Sequence, residues 1–148
     1  MTVAALPGFD RIYAEVQQFY AHHMQLLDSG AAEEWARTFT EDCVVSLPTL
    51  PEPVRGRSRL AEAVARAAAD RVSRGEVQRH WHGMVAMHPD GDGTVRVRCY
   101  ALVFLTPLGG EPRLHRTCVC EDVLVTGPNG WQVRERRVTR DDLPGETR

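Results

Sequence analysis

The sequence predicts an α+β domain, with N-terminal helices folded against a curved antiparallel sheet. Three observations carry that prediction. Apolar residues recur at helical spacing through the first half of the chain. From Glu76 onward the period changes to alternation, the signature of half-buried strands. Three turn clusters of hairpin length then divide the second half: Pro89-Asp90-Gly91-Asp92-Gly93, Leu108-Gly109-Gly110-Glu111-Pro112 and Gly127-Pro128-Asn129-Gly130. Helices first and a meander after them is the α+β arrangement.

The first helix is expected to start at Asp10, as N-cap, and to run to Ser29, with Gly30 as the stop. Ile12, Val16, Phe19, Tyr20, His23 and Leu27 form its inward stripe. A short second helix is expected over Ala31–Thr38, anchored by Trp35 and Phe39, and a short strand over Cys43–Leu47. The prolines of Pro48–Arg57 mark a loop, and Ser58 is expected to cap a third helix that buries Leu60, Val64, Ala67 and Ala68. The alternating segments are Gln78–Met87, Thr94–Thr106, Arg113–Val125 and Trp131–Thr139. All this makes one domain over residues 1–148, its core at about 10–139 and its tail, from Asp141 on, frayed.

The 148 residues suffice for one core, and 43% hydrophobic with 26% charged residues is ordinary globular composition. A net charge of −2 gives no electrostatic reason to bind nucleic acid or an anionic membrane. No apolar run is long enough to span a bilayer, and Met1–Pro7 lacks an export pattern. Cys43, Cys99, Cys118 and Cys120 form no C-x-x-C pair and read as small buried residues, so a reducing cytoplasm is expected. All 18 basic residues are arginine; with no lysine in the chain, Schiff-base catalysis is excluded.

Three helices cannot fill the concave face of a long, twisted sheet, so a hollow is expected there, and polar side chains aimed into it are the functional candidates. Here the chain resembles a known group. Leu27-Asp28-Ser29-Gly30, Glu34-Trp35 and Phe39-Thr40-Glu41-Asp42, then Arg79-His80, Gly130-Trp131 and Arg136-Arg137-Val138, are similar in order and spacing to SnoaL-like proteins, over Asp10 to Val138. That group belongs to the nuclear-transport-factor-2-like superfamily, which includes polyketide cyclases, scytalone dehydratase, ketosteroid isomerase relatives and oxygenase β-subunits. The resemblance implies a cone-shaped α+β barrel. Similarity to scytalone dehydratase further implies a catalytic role for Asp28 and a pocket position for His80, with His115–Cys120 along a pocket-lining strand. Where that enzyme has its other pocket histidine, this chain has Leu105.

His80 and His82, two apart on a strand, share a face; if it is the concave one, both enter the cavity beside Met84. Two imidazoles on one face could also be metal ligands, with His115 or Asp28 as a third, but without a fixed local spacing no metal is expected. His23 lies within the apolar stripe, either satisfied by a carbonyl or facing the cavity with Tyr20, one turn earlier. Asp28 could equally cap the following helix. His115 points inward or outward with equal reason. Asp122 and Arg136–Arg137 are placed to pair across adjacent strands.

The expectation is a cofactor-independent cyclase, dehydratase or isomerase of polyketide-type or antibiotic biosynthesis, acting on an aromatic or polycyclic ligand by general acid–base catalysis. His80 and Asp28 would be its acid and base. Tyr20, His23 and His115 would steer the substrate or stabilise an oxyanion, and Trp35, His82, Met84, Cys99, Ala101 and Val103 would line the pocket. The alternative is a ligand-holding accessory protein, or a partner resembling an oxygenase β-subunit. Arg98, Tyr100, Leu102 and Phe104 make the outward face of one strand largely apolar, so a homodimer is expected.

Overall fold

The computed structural model describes residues 8–144. Helix α1 (Phe9–Asp28) is followed by α2 (Ala32–Ala36), β1 (Phe39–Ser46), β2 (Val54–Arg55) and α3 (Arg57–Arg74). Four long strands complete the chain: β3 (Glu76–Pro89), β4 (Val95–Pro107), β5 (Arg113–Gly127) and β6 (Gly130–Arg140). Six strands make one curved, open sheet in the order β2-β1-β6-β5-β4-β3. Thus β3 to β6 is the expected meander, but the sheet neither closes into a barrel nor stays wholly antiparallel. Strand β1 runs parallel to β6, with Phe39 opposite Val133 and Ser46 opposite Arg137.

The helix boundaries differ from expectation for a shared reason. Glycines at positive φ, Gly8 before α1 (φ 80°) and Gly56 before α3 (φ 86°), turn the chain into each helix, in place of caps at Asp10 and Ser58. Asp10 instead sits in the first turn of α1, where a carboxylate suits the helix dipole. Strand β1 begins four residues before Cys43, because Phe39 is buried and β6 holds Thr38 through Val133 N–H to the Thr38 carbonyl (2.9 Å). The proline-rich loop contains β2, which pairs antiparallel with β1. In the tail, Asp141 is tied to Thr117 through both backbone and side chain, while 145–148 lie outside the described residues.

The core lies between the helices and the concave face of the sheet. Val16 and Tyr20 of α1, Trp35 of α2, Phe39 and Cys43 of β1 and Leu60 of α3 meet Val95, Val97, Leu124 and Val133 there. Strand β4 alternates as expected, burying Val95, Val97, Cys99, Ala101, Val103 and Leu105. Strand β3 does not alternate throughout. Its register against β4 shifts between Gly83 and Ala86, and Met84 takes a positive φ of 51°. That bulge reverses the parity, so His80 and His82 face inward, but beyond it Val85 and Met87 do.

Candidate active site

The concave face encloses a cavity of about 320 Å³. Trp35, Phe39, Leu47, Leu60 and Val64 form its apolar walls, and His80, His82, Ala101 and Val103 lie across its sheet side with Arg116, Cys118 and Arg140. Cross-strand register orders these side chains into rows. His80, Val103 and Arg116 form one, and His82, Ala101, Cys118 and Arg140 the next. Cys99 and Cys120 form a third, deeper row, and Asp122 and Arg136 a fourth. Small side chains at the middle of the first two rows leave the space above them.

Asp28, the last residue of α1, holds His80 through two hydrogen bonds. His80 Nδ1 lies 2.6 Å from Asp28 Oδ1, and the His80 backbone N–H donates to Asp28 Oδ2 at 2.7 Å. A carboxylate only accepts, so Nδ1 carries the proton and Nε2 is left with its lone pair. Both groups are largely buried, with side-chain exposures of 17% for His80 and 8% for Asp28. The two residues expected to be separate acid and base are therefore one hydrogen-bonded unit, in which Asp28 orients the His80 imidazole. Reading Asp28 as a cap for the next helix does not hold, since its carboxylate reaches across to β3.

Asp122 and Arg136 form the pair expected across β5 and β6, with Nε to Oδ1 and Nη2 to Oδ2 both at 2.8 Å. The Tyr20 hydroxyl also donates to Asp122 Oδ2, at 2.8 Å. Burial alone would raise the Asp122 pKa, but the Arg136 charge and its hydrogen bonds hold it below the ordinary carboxylate value. Burial, with the Asp122 charge, pushes the Tyr20 phenol well up. Tyr20 is thus fastened behind the cavity wall instead of presenting its hydroxyl to a ligand.

His23 is fully buried between Phe19 and Trp35, with Nδ1 2.6 Å from Thr38 Oγ1. The Thr38 hydroxyl donates to the Trp35 carbonyl, so it accepts from His23. Neither His23 nor Tyr20 is among the lining residues; both support the wall from behind. Burial lowers the His23 pKa well below 6.5, so the unfolded chain takes a proton that the folded one refuses. Its stability contribution is present above about pH 6.5 and is lost as pH falls below it. The expected slope is about 1.4 kcal/mol per pH unit from this group. In His23→Gln, urea titrations from pH 7 to 5 should show a pH dependence shallower by close to one proton; an unchanged slope refutes the assignment.

Two expected site residues lie elsewhere. Met84 is 80% exposed, because the β3 bulge turns it away from His80 and His82. His115 is exposed as well: it is the extra residue where β5 shifts register against β4, between the pairs Val103–Arg116 and Phe104–Leu114. Partial burial and the charges of Arg116 and Arg113 lower its pKa, but it touches no part of the cavity. Cys99 is buried and is not among the lining residues, although its cross-strand neighbour Cys120 is. Trp35, His82, Ala101 and Val103 do line it.

The soft-ligand grouping also differs from the expected one. His82 Nδ1 sits 3.6 Å from Cys99 Sγ, and with Cys120 Sγ the three atoms fall within 4.8 Å of one another. A hydrogen bond from Cys120, opposed by burial, lowers the Cys99 pKa, while that same bond and burial push Cys120 up. These are donor types that zinc accepts, whereas His80 is committed to Asp28 and His115 is remote. Extensive chelation is expected to leave ligand binding and activity unchanged; stoichiometric zinc lost together with function would make the His82–Cys99–Cys120 group a metal centre.

Residues 11–137 match the SnoaL-like domain. The chain belongs to that family. ActVI-ORFA from Streptomyces coelicolor is 33% identical, with a TM-score of 0.80 over 89% of this chain and 98% of that one. Aln2 from another Streptomyces is 34% identical, with a TM-score of 0.79 over 89% and 92%. A protein from Catenulispora acidiphila, solved in complex with S-DNPA, is 36% identical, with a TM-score of 0.74 over 90% and 96%. No curated protein matches this SnoaL-like chain. Among its described residues, no helix is long and apolar enough to cross a membrane.

Sequence reasoning did not single out Arg116, Cys118, Cys120 or Arg140 as lining residues in their own right. The signal was available: once Cys118 and Cys120 are inward, Arg116 shares their parity, and Arg140 stands opposite Cys118.

Proposed function

We propose that this SnoaL-like protein is a cofactor-independent cyclase, dehydratase or isomerase of polyketide-type biosynthesis, acting by proton transfer on an aromatic or polycyclic ligand. The observation that carries it is a histidine fixed by a buried carboxylate at the wall of an apolar cavity. The free Nε2 of His80 takes an acidic proton next to a substrate carbonyl, and Asp28 stabilises the imidazolium that forms. The imidazolium then returns the proton to carbon, or to the oxygen that leaves. Excluding water from an apolar pocket strengthens each of these interactions. A cavity near 320 Å³ suits a fused-ring body, and the binding of S-DNPA by a relative supports a small-molecule ligand.

The test is hydrogen–deuterium exchange at the acidic carbon of an aromatic β-dicarbonyl compound, with purified protein in D2O, alongside turnover. Exchange well above the buffer rate supports the reading. Binding without exchange or turnover sinks it and leaves a ligand-holding accessory protein.

The protein is proposed to work in the cytoplasm, where its four free, buried thiols stay reduced. It is proposed to do so as a homodimer. Tyr100 (52% exposed) and Trp81 (66%) lie on the convex face beside the half-buried Leu102 and Phe104, an apolar area that water covers poorly. Light scattering at micromolar concentration should return twice the chain mass; a monomer insensitive to dilution refutes the dimer.

A further inference from the structure

We propose that Cys99 and Cys120 form an oxidisable pair, which hydrogen peroxide entering the cavity closes into a cross-strand disulfide and a thiol reductant reopens. This stands apart from the proton-transfer reading, which uses neither sulfur. Cys99 and Cys120 face each other directly in the register of β4 and β5. Directly paired antiparallel residues have Cα atoms about 4.5 or 5.5 Å apart, and both spacings fall within the range that a disulfide bridges. Their Sγ atoms, with His82 Nδ1, lie within 4.8 Å of one another. Cys118 is on the same face but two residues along, where a diagonal neighbour is about 7–8 Å away, too far for a bridge without backbone movement.

The surroundings favour oxidation at this pair. The β3 bulge leaves Cys99 without a paired residue on that strand, and His82 brings Nδ1 to 3.6 Å from its sulfur. The hydrogen bond from Cys120, with the contact to His82, lowers the Cys99 pKa against the effect of burial. Cys99 is thus the thiol that ionises, its proton passing to His82. Cys120 keeps its proton, with Asp122 Oδ1 3.4 Å from its sulfur. Both cysteines are buried, but Cys120 and His82 line the cavity, and hydrogen peroxide is scarcely larger than water.

Two thiols and one peroxide balance the reaction. The Cys99 thiolate attacks a peroxide oxygen: an S–O bond forms, the O–O bond breaks, and the departing hydroxide takes the proton from His82 as water. The Cys120 sulfur then attacks the Cys99 sulfenic acid: the S–S bond forms, the S–O bond breaks, and hydroxide leaves as water with the Cys120 proton. The sulfurs lose two electrons in all, and the peroxide gains them.

The experiment treats the intact, folded protein, chelated and fully reduced beforehand, with hydrogen peroxide at neutral pH, under conditions that oxidise free glutathione. Catalase ends the reaction, and the remaining thiols are alkylated in denaturant. Two of the four thiols should be lost, with a mass decrease of about 2 Da, and dithiothreitol should restore both. Trypsin should release residues 99–113 joined to residues 117–134. The link should persist in Cys118→Ser and vanish in Cys120→Ser, where dimedone should trap Cys99 as the sulfenic acid. His82→Gln should slow the loss of thiols, and an unchanged rate would remove His82 from the step. Four thiols still open to alkylation in the unaltered protein, a bridge to Cys43 or Cys118 in place of this one, or sulfinic acid at Cys99 without a link overturns the proposal. None of these readouts depends on turnover, so failure of the proton-transfer reading would not be mistaken for failure here.

Discussion

His80→Asn is expected to lower turnover by ~10²–10⁴-fold, about 3–5 kcal/mol in the barrier, because it removes the titrating nitrogen. Asparagine can still hydrogen-bond Asp28, and its backbone N–H still meets Asp28 Oδ2, so the end of α1 keeps its attachment to β3. Ligand affinity and melting temperature should therefore change little. Asp28→Asn offers the complementary case. Its amide can donate where the carboxylate only accepted, disturbing the tautomer that exposes the Nε2 lone pair, so turnover should fall while His80 remains in place. Rates of folded protein, measured under single-turnover conditions, decide the matter. Full activity in H80N would remove His80 from the chemistry.

Asp122→Ala is the substitution expected to cost the most stability. It strands the Arg136 guanidinium, whose side chain is 6% exposed, without its partner and removes the acceptor of the Tyr20 hydroxyl. Breaking one side of a buried pair costs about 3–5 kcal/mol, much of the total stability of an ordinary domain. Removing both charges is a different matter: Asp122→Ala combined with Arg136→Met should recover much of the loss, because no charge is then left unpaired. Urea unfolding of the two singles and the double completes the cycle. Additive losses would show that the pair does not act as a unit.

The architecture was legible in the sequence because burial here follows period. The stripe from Ile12 to Leu27, the alternation of β4 and the three turn clusters each declare themselves locally. The parallel pairing of β1 with β6 does not, since nothing near Phe39 announces a partner at Val133. The site divides along the same line. Strand parity puts His80 and His82 on one face, and the family resemblance turns that face inward; Met84 fails because a bulge inserts a residue, and no rule of alternation survives that. His115 fails for the corresponding reason on β5. The Asp28–His80 hydrogen bonds join residues 52 positions apart, so the sequence could nominate each but not reveal that one orients the other.

The seam between β1 and β6 has a consequence for how the protein is made. Strand β1 is the first of the sheet's six strands to be synthesised, and its neighbour on the meander side, β6, is the last of the six. Until then, α1, α3 and β3–β5 can assemble through contacts closer in sequence, but β1 hangs with one edge unmatched and Phe39 uncovered. A nascent chain stalled before residue 130 would carry His80 and Asp28 yet lack the Arg136 and Val138 wall, and it would present a sticky edge to other nascent chains. Pairing of β6 along β1 supplies the Arg136 and Val138 wall without which the cavity stays open on that side.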